Sequence, residues 1–395
     1  MPAHGTVVGI GADGWPGMPD AARSVVGAAQ VLIGSPRQLD LVPPVQGQER
    51  HAWPSPLSLD GLDQHADRRV VVLASGDPLL SGIGASLVAR FGPDRVDVVP
   101  DVSSVALARA RMLWSAEESE VLTLVGRPLE RLVRMLAPGR RLLVLSSDET
   151  TPGRVAELLT DLGYGASRLT VLGDLGSHDE SRLEGQAKAW SHPAPRLHVL
   201  AVECDGPPLG GWSSGLPDDA YEHDGQLTKR DQRASALARL APQPGELLWD
   251  VGAGAGSIGI EWLRAHPACR AVAVEADPER AARIEANARR LGVPDLEVVT
   301  GRAPEALAEL PDPDACFVGG GGSGEVLDLC RERLPAGGRL VVHGVTLETE
   351  RLLVDAHATY GGELVRLSVE RAEPLGGYRG WTPARAVVQW SWEKP

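Results

Sequence analysis

The sequence predicts two α/β domains in tandem, and three observations carry that reading. The chain has 395 residues, whereas a single hydrophobic core stops growing at roughly 250–300 residues. In both halves, short apolar runs alternate with segments whose apolar residues recur at helical spacing, the pattern of an α/β architecture. Between the halves, Cys204–Gly225 (CDGPPLGGWSSGLPDDAYEHDG) loses all periodicity to glycine, proline, serine and acids, as a linker does. The expected limits are a domain over 1–205, a linker over 206–225 and a domain over 226–395.

In the first half, strands are expected at Thr6–Ile10, Val31–Ile33, Val70–Ala74, Val96–Val99, Val121–Val125, Leu142–Leu145, Leu169–Leu172 and Leu197–Val202. Helical spacing appears over Ala21–Gln30, Ser81–Phe91 and Val102–Leu113. In the second half, Thr228–Leu240 reads as a helix, Leu247–Val251 as a strand, Ser257–Ala265 as a helix and Ala271–Val274 as a strand. Pro278–Leu291 is a helix with a marked start, because Asp277 can cap it and Pro278 suits the first helical position. Leu296–Val299, Ala315–Val318 and Leu340–Val342 continue as strands. From Gly362 on, two longer β-like runs meet near Gly376-Gly377, which predicts a hairpin closing the sheet.

Composition narrows the function classes. A formal charge of −14 argues against a broad basic face for DNA or RNA. The cysteines, Cys204, Cys269, Cys316 and Cys330, have no zinc-knuckle or CxxC spacing, and the histidines form no HExxH cluster. No protein-bound metal is expected. No apolar run approaches the roughly 20 residues that span a bilayer, and the start of the chain lacks a basic stretch followed by an apolar segment. The expectation is a cytoplasmic protein with no membrane partner.

The sharpest local signal is Leu247-Leu-Trp-Asp-Val-Gly-Ala-Gly-Ala-Gly256: a strand ends in Asp250 and enters Gly252-x-Gly254-x-Gly256. Glycines there let backbone approach a ligand where a Cβ would clash, and the next helix begins at the same crevice. The loop also contains Gly254-x-Gly256-x-x-Gly259, the dinucleotide spacing, so glycines alone leave both cofactors open. Asp250 favours S-adenosylmethionine, because an acid beside a pyrophosphate gains nothing whereas one beside a cationic methionine end does. Glu275, ending the next strand, stands where an acid takes ribose hydroxyls. Gly301-Arg-Ala-Pro-Glu305 follows the third strand, where an adenine could rest against backbone.

The series GQLTK, DVGAGAGSIGIE, VEADPER, GRAPEAL and FVGGGG resembles the C-terminal half of the precorrin-6Y C5,15-methyltransferase (decarboxylating) family, over essentially all of Gly225–Pro395. The resemblance implies a Rossmann-like class I methyltransferase domain with cofactor contacts at Thr228, Gly252, Ala253, Gly254, Ala255, Gly256, Glu275 and Ala303, with Arg302 beside them. Thr228 and Asp231 also have the spacing of a capping box. VVHGVTLETE fits the resemblance with one departure, since His343 stands where a small amide is expected; no chemical role is carried onto it.

In the first half, Val7-Val-Gly-Ile-Gly-Ala-Asp-Gly14 contains Gly9-x-Gly11-x-x-Gly14, but Gly34-Ser-Pro-Arg37 supplies no acid after the next strand, so a dinucleotide reading is weaker there. Ala74-Ser-Gly-Asp-Pro-Leu79, with LIGSPR and PDVSSVALA, resembles the tetrapyrrole methylases and the N-terminal half of the same family, over about Thr6–Glu203. This implies a two-lobed domain holding its own S-adenosylmethionine, with Gly9, Gly76, Asp77, Pro78, Ser103 and Ser104 at the site. The family's proline near the first turn is absent from Gly11-Ala-Asp-Gly14, so no role passes to Asp13.

The family resemblance implies methylation of a precorrin at carbons 5 and 15 and loss of carbon dioxide from the ring-C acetate, on the route to cobalamin. It gives the decarboxylation and one methylation to the C-terminal half, and implies a homo-oligomer. A sulfonium methyl is already activated, so alignment supplies much of the acceleration, in keeping with a chain lacking any triad or metal motif. Lys229, Arg302 and Arg379, and in the first half Arg37, Arg111 and Arg127, are candidates for gripping substrate carboxylates. The rival readings are an RNA or protein methyltransferase, which the acidic charge disfavours; an NAD(P)-dependent oxidoreductase, which rests only on glycine spacing; and a non-catalytic sensor of S-adenosylmethionine or a corrinoid.

Overall fold

A computed structural model describes residues 5–65, 67–211 and 213–395. It divides into two units, 1–129 with 136–207 and 130–135 with 208–395.

The first unit runs β1 (Gly5–Ile10), α1 (Asp20–Gly27), β2 (Val31–Gly34), α2 (Pro36–Asp40), β3 (Glu49–Ala52), β4 (Val70–Ser75), α3 (Ile83–Phe91) and β5 (Val96–Val99). It continues through α4 (Ser104–Met112), β6 (Ser119–Thr123), β7 (Arg141–Leu145), α5 (Thr151–Asp161), β8 (Arg168–Gly173), β9 (Ser181–Gln186) and β10 (His198–Glu203). The strands form two sheets, which are the two expected lobes. The first, β3-β2-β4-β1-β5, is wholly parallel. Its inner strands are continuous apolar runs because helices cover both faces, leaving Val7, Val8, Val72 and Leu73 almost without solvent contact. The second, β6-β7-β10-β8-β9, is mixed, with β6 and β7 parallel and the rest antiparallel.

The eight strands expected in this half all form. The two that were not expected, β3 and β9, are edge strands, and most of their residues are exposed. An edge strand lacking a buried face carries no apolar alternation, so periodicity is silent there.

The second unit begins with α6 (Arg230–Leu240), β11 (Leu247–Val251), α7 (Ser257–Ala265), β12 (Arg270–Glu275), α8 (Pro278–Arg290), β13 (Glu297–Thr300) and β14 (Ala315–Val318). It ends with α9 (Gly324–Arg333), β15 (Arg339–Gly344), α10 (Leu347–Tyr360), β16 (Glu363–Leu367), β17 (Glu370–Leu375), β18 (Tyr378–Pro383) and β19 (Val387–Glu393). The sheet order is β13-β12-β11-β14-β15-β19-β16, with β19 antiparallel to both neighbours. This is a Rossmann-like doubly wound sheet with an antiparallel end. Trp249, Trp262 and Trp390 are fully buried. Each indole N–H has a carbonyl, of Pro311, Arg270 and Gly361 respectively, so the apolar bulk is gained without an orphaned donor.

Three expectations are corrected here. The hairpin turning at Gly376-Gly377 exists, but β17 and β18 form a separate two-stranded ribbon. The strands that complete the sheet are β16 and β19, which flank the ribbon in sequence; each expected long run is split because its outer part pairs within the main sheet and its inner part only with the other run. The linker is not loose throughout: Leu216 and Tyr221 are buried in the second unit's core, two apolar anchors that a low-complexity composition conceals. Finally, Thr228 and Asp231 make no capping box. The helix cap is Lys229, whose side chain makes no capping bond, and Asp218 Oδ1 accepts the Arg230 N–H instead. Asp277 caps α8 as expected, accepting from the N–H groups of Glu279 and Arg280. No helix among the described residues is long and apolar enough to cross a membrane.

Candidate cofactor sites

In the second unit, the loop after β11 lies at the carboxyl edge of the sheet, beside the point where strand order reverses between β11 and β14. Ligands bind in that crevice in open α/β sheets. Gly252 and Gly254 have φ of +67° and +60°. A Cβ on Gly252 would lie 2.3 Å from Gly320 O, and one on Gly254 would lie 2.8 Å from Gln226 O. The loop is therefore pressed between the turn after β14 and the GQLTK segment, and only glycine fits. Ala253 is half-buried, and Ala255 and Gly256 are buried.

Glu275 is buried at the end of β12, and its two oxygens accept from the N–H groups of Gly254 (2.8 Å) and Asp277 (3.1 Å). It thus ties the glycine loop to the start of α8, and each carboxylate oxygen keeps capacity for a further donor. Asp250 is 1% exposed. Its Oδ2 accepts from the Gly259 N–H (2.9 Å), while its Oδ1 is buried without a hydrogen-bond partner. Burial pushes the carboxyl up to about 7; the Gly259 N–H opposes that shift and the nearby Glu275 charge adds to it. A buried, unpaired carboxylate oxygen is a place for a cation or a donor. Thr228 is half-buried two residues after Gln226, and its carbonyl accepts from Arg233 Nη1. Ala303 is half-buried after β13, where the Gly301 N–H bonds Glu275 O (2.9 Å). Arg302 is exposed next to it. These residues fit S-adenosylmethionine: an acid for the cationic end, glycines for close approach and an acid beside the ribose position.

Sequence reasoning missed the polar groups that hold this site. Arg233 and Glu261 are buried, and Glu261 also accepts from the Gly215 and Leu216 N–H groups and the Tyr221 hydroxyl. Asn287 is fully buried in α8; its amide bonds both backbone groups of Glu222 and the carbonyl of Ala255. The available signal was a charge inside an apolar helical face, as in Ile258-Gly-Ile-Glu261-Trp-Leu.

In the first unit, the loops after β1, β4 and β5 converge at the carboxyl edge of the parallel sheet. A Cβ on Gly9 would lie 2.1 Å from Gly76 O and 2.6 Å from Asp101 N. Gly76 is held at φ +57°, and its N–H bonds Ile10 O (3.0 Å). Asp77 Oδ1 accepts from the Leu79 N–H, and Pro78 O from the Gly84 N–H. Ser103 caps α4 by accepting from the Ala106 N–H, and Ser104 is its exposed first residue. Gly9, Gly76 and Ser103 are thus brought together, and Asp13 is exposed nearby.

The arginine candidates separate. Arg111 is held by both oxygens of Glu180 (2.5 and 3.0 Å), so its fork is already filled. Arg37 is half-buried and donates to Ser75 Oγ (3.2 Å), with its pKa lowered by burial. Arg127 is exposed, and Arg379 lies exposed on the β17–β18 ribbon, whose Arg371 pairs with Asp231 of α6 (3.1 Å).

Two family models match the chain: tetrapyrrole (corrin/porphyrin) methylases over residues 6–189, and the precorrin methyltransferase domain over residues 219–394. A precorrin-6Y C(5,15)-methyltransferase [decarboxylating] from Sinorhizobium sp is 46% identical over 400 residues, covering 98% of this chain and 96% of that protein. The chain belongs to the precorrin-6Y C(5,15)-methyltransferase (decarboxylating) family. Two relatives of this family member match about half of it. A probable cobalt-precorrin-6B C(15)-methyltransferase (decarboxylating) of Pyrobaculum calidifontis is 37% identical over 44% of this chain and 92% of its own length. A cobalt-precorrin-7 C(5)-methyltransferase of Salmonella typhimurium is 32% identical over 51% of this chain and 93% of its own length.

Proposed function

We propose that the chain methylates a precorrin at carbons 5 and 15 and removes the ring-C acetate carboxyl as carbon dioxide, in cobalamin biosynthesis, with one S-adenosylmethionine bound in each unit. The observation that carries this is the pairing, in one chain, of two unlike glycine-loop sites, one around Gly9 and Gly76 and one around Asp250 and Gly254. Two half-length relatives, each named for one of the two methylations, support dividing the work. In this reading the first unit methylates carbon 5, and the second methylates carbon 15 and decarboxylates.

When bound, S-adenosylmethionine supplies a methyl already activated by a sulfonium. The chain's own residues then align donor and acceptor, which can lower a barrier by up to roughly 7–11 kcal/mol. Asp250 would meet the positive end of a bound donor, Glu275 would take its ribose hydroxyls, and the loop from Gly252 to Gly256 would lie against it. In the first unit the Gly76-Asp77-Pro78 turn and the Ser103–Ser104 turn do the corresponding work. A homo-oligomer belongs to this reading through the family resemblance alone.

The test is mass spectrometry of a precorrin substrate incubated with the chain and labelled S-adenosylmethionine. Gain of two methyl groups with loss of one carbon dioxide is the expected outcome. No change in mass while both units bind the cofactor would overturn the substrate assignment and favour the sensor.

A further inference from the structure

His343 is the penultimate residue of β15, at the same carboxyl edge, and is 8% exposed. Its ring stands edge-on to Phe317 of β14, with centroids 5.0 Å apart. Its Nε2 lies 2.9 Å from the side-chain amide of Gln389, the paired residue on β19. The proton on His343 follows from what lies behind that amide. Arg239 on α6 can only donate, so the oxygen of Gln389 must face it, at 3.0 Å from Nε and 3.3 Å from Nη1. The amide nitrogen of Gln389 then donates to His343 Nε2. Nε2 is an acceptor, and the ring's one proton sits on Nδ1. Glu363 on β16 anchors the chain by pairing with Arg239 (2.7 Å). Arg239 and Glu363 are the charged groups of this chain, and burial together with the Arg239 charge keeps the imidazole neutral, its pKa lowered to about 4.

We propose that His343 holds the departing acetate carboxylate through its Nδ1–H, with Gln389 and Arg239 acting as positioning residues. The proposal rests on the decarboxylation assigned above to this unit. In that step the bond from the acetate methylene to its carboxyl carbon breaks and the electron pair passes into the conjugated macrocycle. Carbon dioxide leaves, and a proton from solvent completes the methyl group. A cation against the carboxylate would stabilise the charge that the transition state is losing, and so slow the step. A neutral N–H orients the group while doing less of this. His343, locked neutral by a four-residue chain, meets that requirement where a lysine or arginine would not.

The experiment uses the full chain with labelled S-adenosylmethionine and precorrin, scoring methyl gain and carbon dioxide loss separately, for wild type, His343→Phe, His343→Asn and Gln389→Leu. Nitrogen-15 NMR of the imidazole in the ligand-free protein is recorded alongside. The expected tautomer carries its proton on Nδ1, and Gln389→Leu releases that preference. His343→Phe keeps the ring against Phe317 and is expected to slow carbon dioxide loss about 100-fold, the scale of a misplaced reacting group. Carbon-5 methylation persists, and His343→Asn recovers part of the loss. A proton on Nε2, or undiminished carbon dioxide loss in His343→Phe, overturns the proposal. Wild type that gains no methyl and loses no carbon dioxide overturns the functional reading itself, which is a distinguishable result.

Discussion

Arg233 Nε stands 2.6 Å from Glu261 Oε1, and both side chains are sealed inside the second unit. The pair is the hub of a larger network. Arg233 also donates to the carbonyls of Thr228 and Leu216, and Glu261 accepts from Gly215, Leu216 and Tyr221. A buried ion pair is stabilising only when its remaining hydrogen-bonding capacity is filled, and here backbone from residues 215–228 fills it. That segment is thereby fastened across the glycine loop, with Gln226 O against Gly254.

Removing one partner leaves the other charge buried. Glu261→Gln and Arg233→Met are each expected to cost about 3–5 kcal/mol, measured by urea unfolding of the second unit's transition. Cofactor affinity in that unit should fall with it, because Thr228 and Gln226 lose their anchor; calorimetric titration checks this.

Asp250 gives the second site a pH dependence. Its folded value of about 7 lies above the usual aspartate value, so between about pH 4 and 7 the native carboxyl holds a proton that the unfolded one has lost. Stability contributed by this group therefore falls as pH rises through that window. A cationic ligand favours the ionised form, so its affinity should rise from about pH 5 to 7 and level off above, with proton release on binding. Asp250→Asn should abolish both the slope and the proton release in calorimetry.

Gly9→Ala should damage the first unit alone. The added methyl meets Gly76 O and Asp101 N, which are backbone and cannot swing aside. A cost of about 1–3 kcal/mol is expected, with one methylation lost while the second unit's methylation and carbon dioxide loss continue, as read from product mass.

Glu275→Ala leaves the Gly254 and Asp277 N–H groups without their acceptor. Hydrogen bonds to charged groups contribute about 1.5–3 kcal/mol, so the affinity of the second unit for S-adenosylmethionine should fall about 10- to 100-fold. Glu275→Gln, which keeps one acceptor oxygen, should lose less in the same titration.

Much of the fold is legible because it repeats simple periods. β11 reads as an apolar run interrupted only by Asp250 since both its faces are covered, and α8 announces its start through Asp277 and Pro278. β3 and β9 are illegible because edge strands carry no buried face. The split of the tail into β16, the β17–β18 ribbon and β19 depends on which residues find a partner strand, which no local pattern encodes.

The sequence by itself determined the two α/β units, the glycine loops and the acids at the ends of β11 and β12, because strand ends, turns and short-range spacing are local properties. Tertiary structure alone decided that Gly9, Gly76 and Asp101 meet, that Arg233 and Glu261 pair across 28 positions, and that Gln389 faces His343 from 46 positions away. It also decided that Asp250 is sealed from water. Burial and long-range contact set the charge state of a side chain and the proton it carries, and both arise only when distant segments pack against one another.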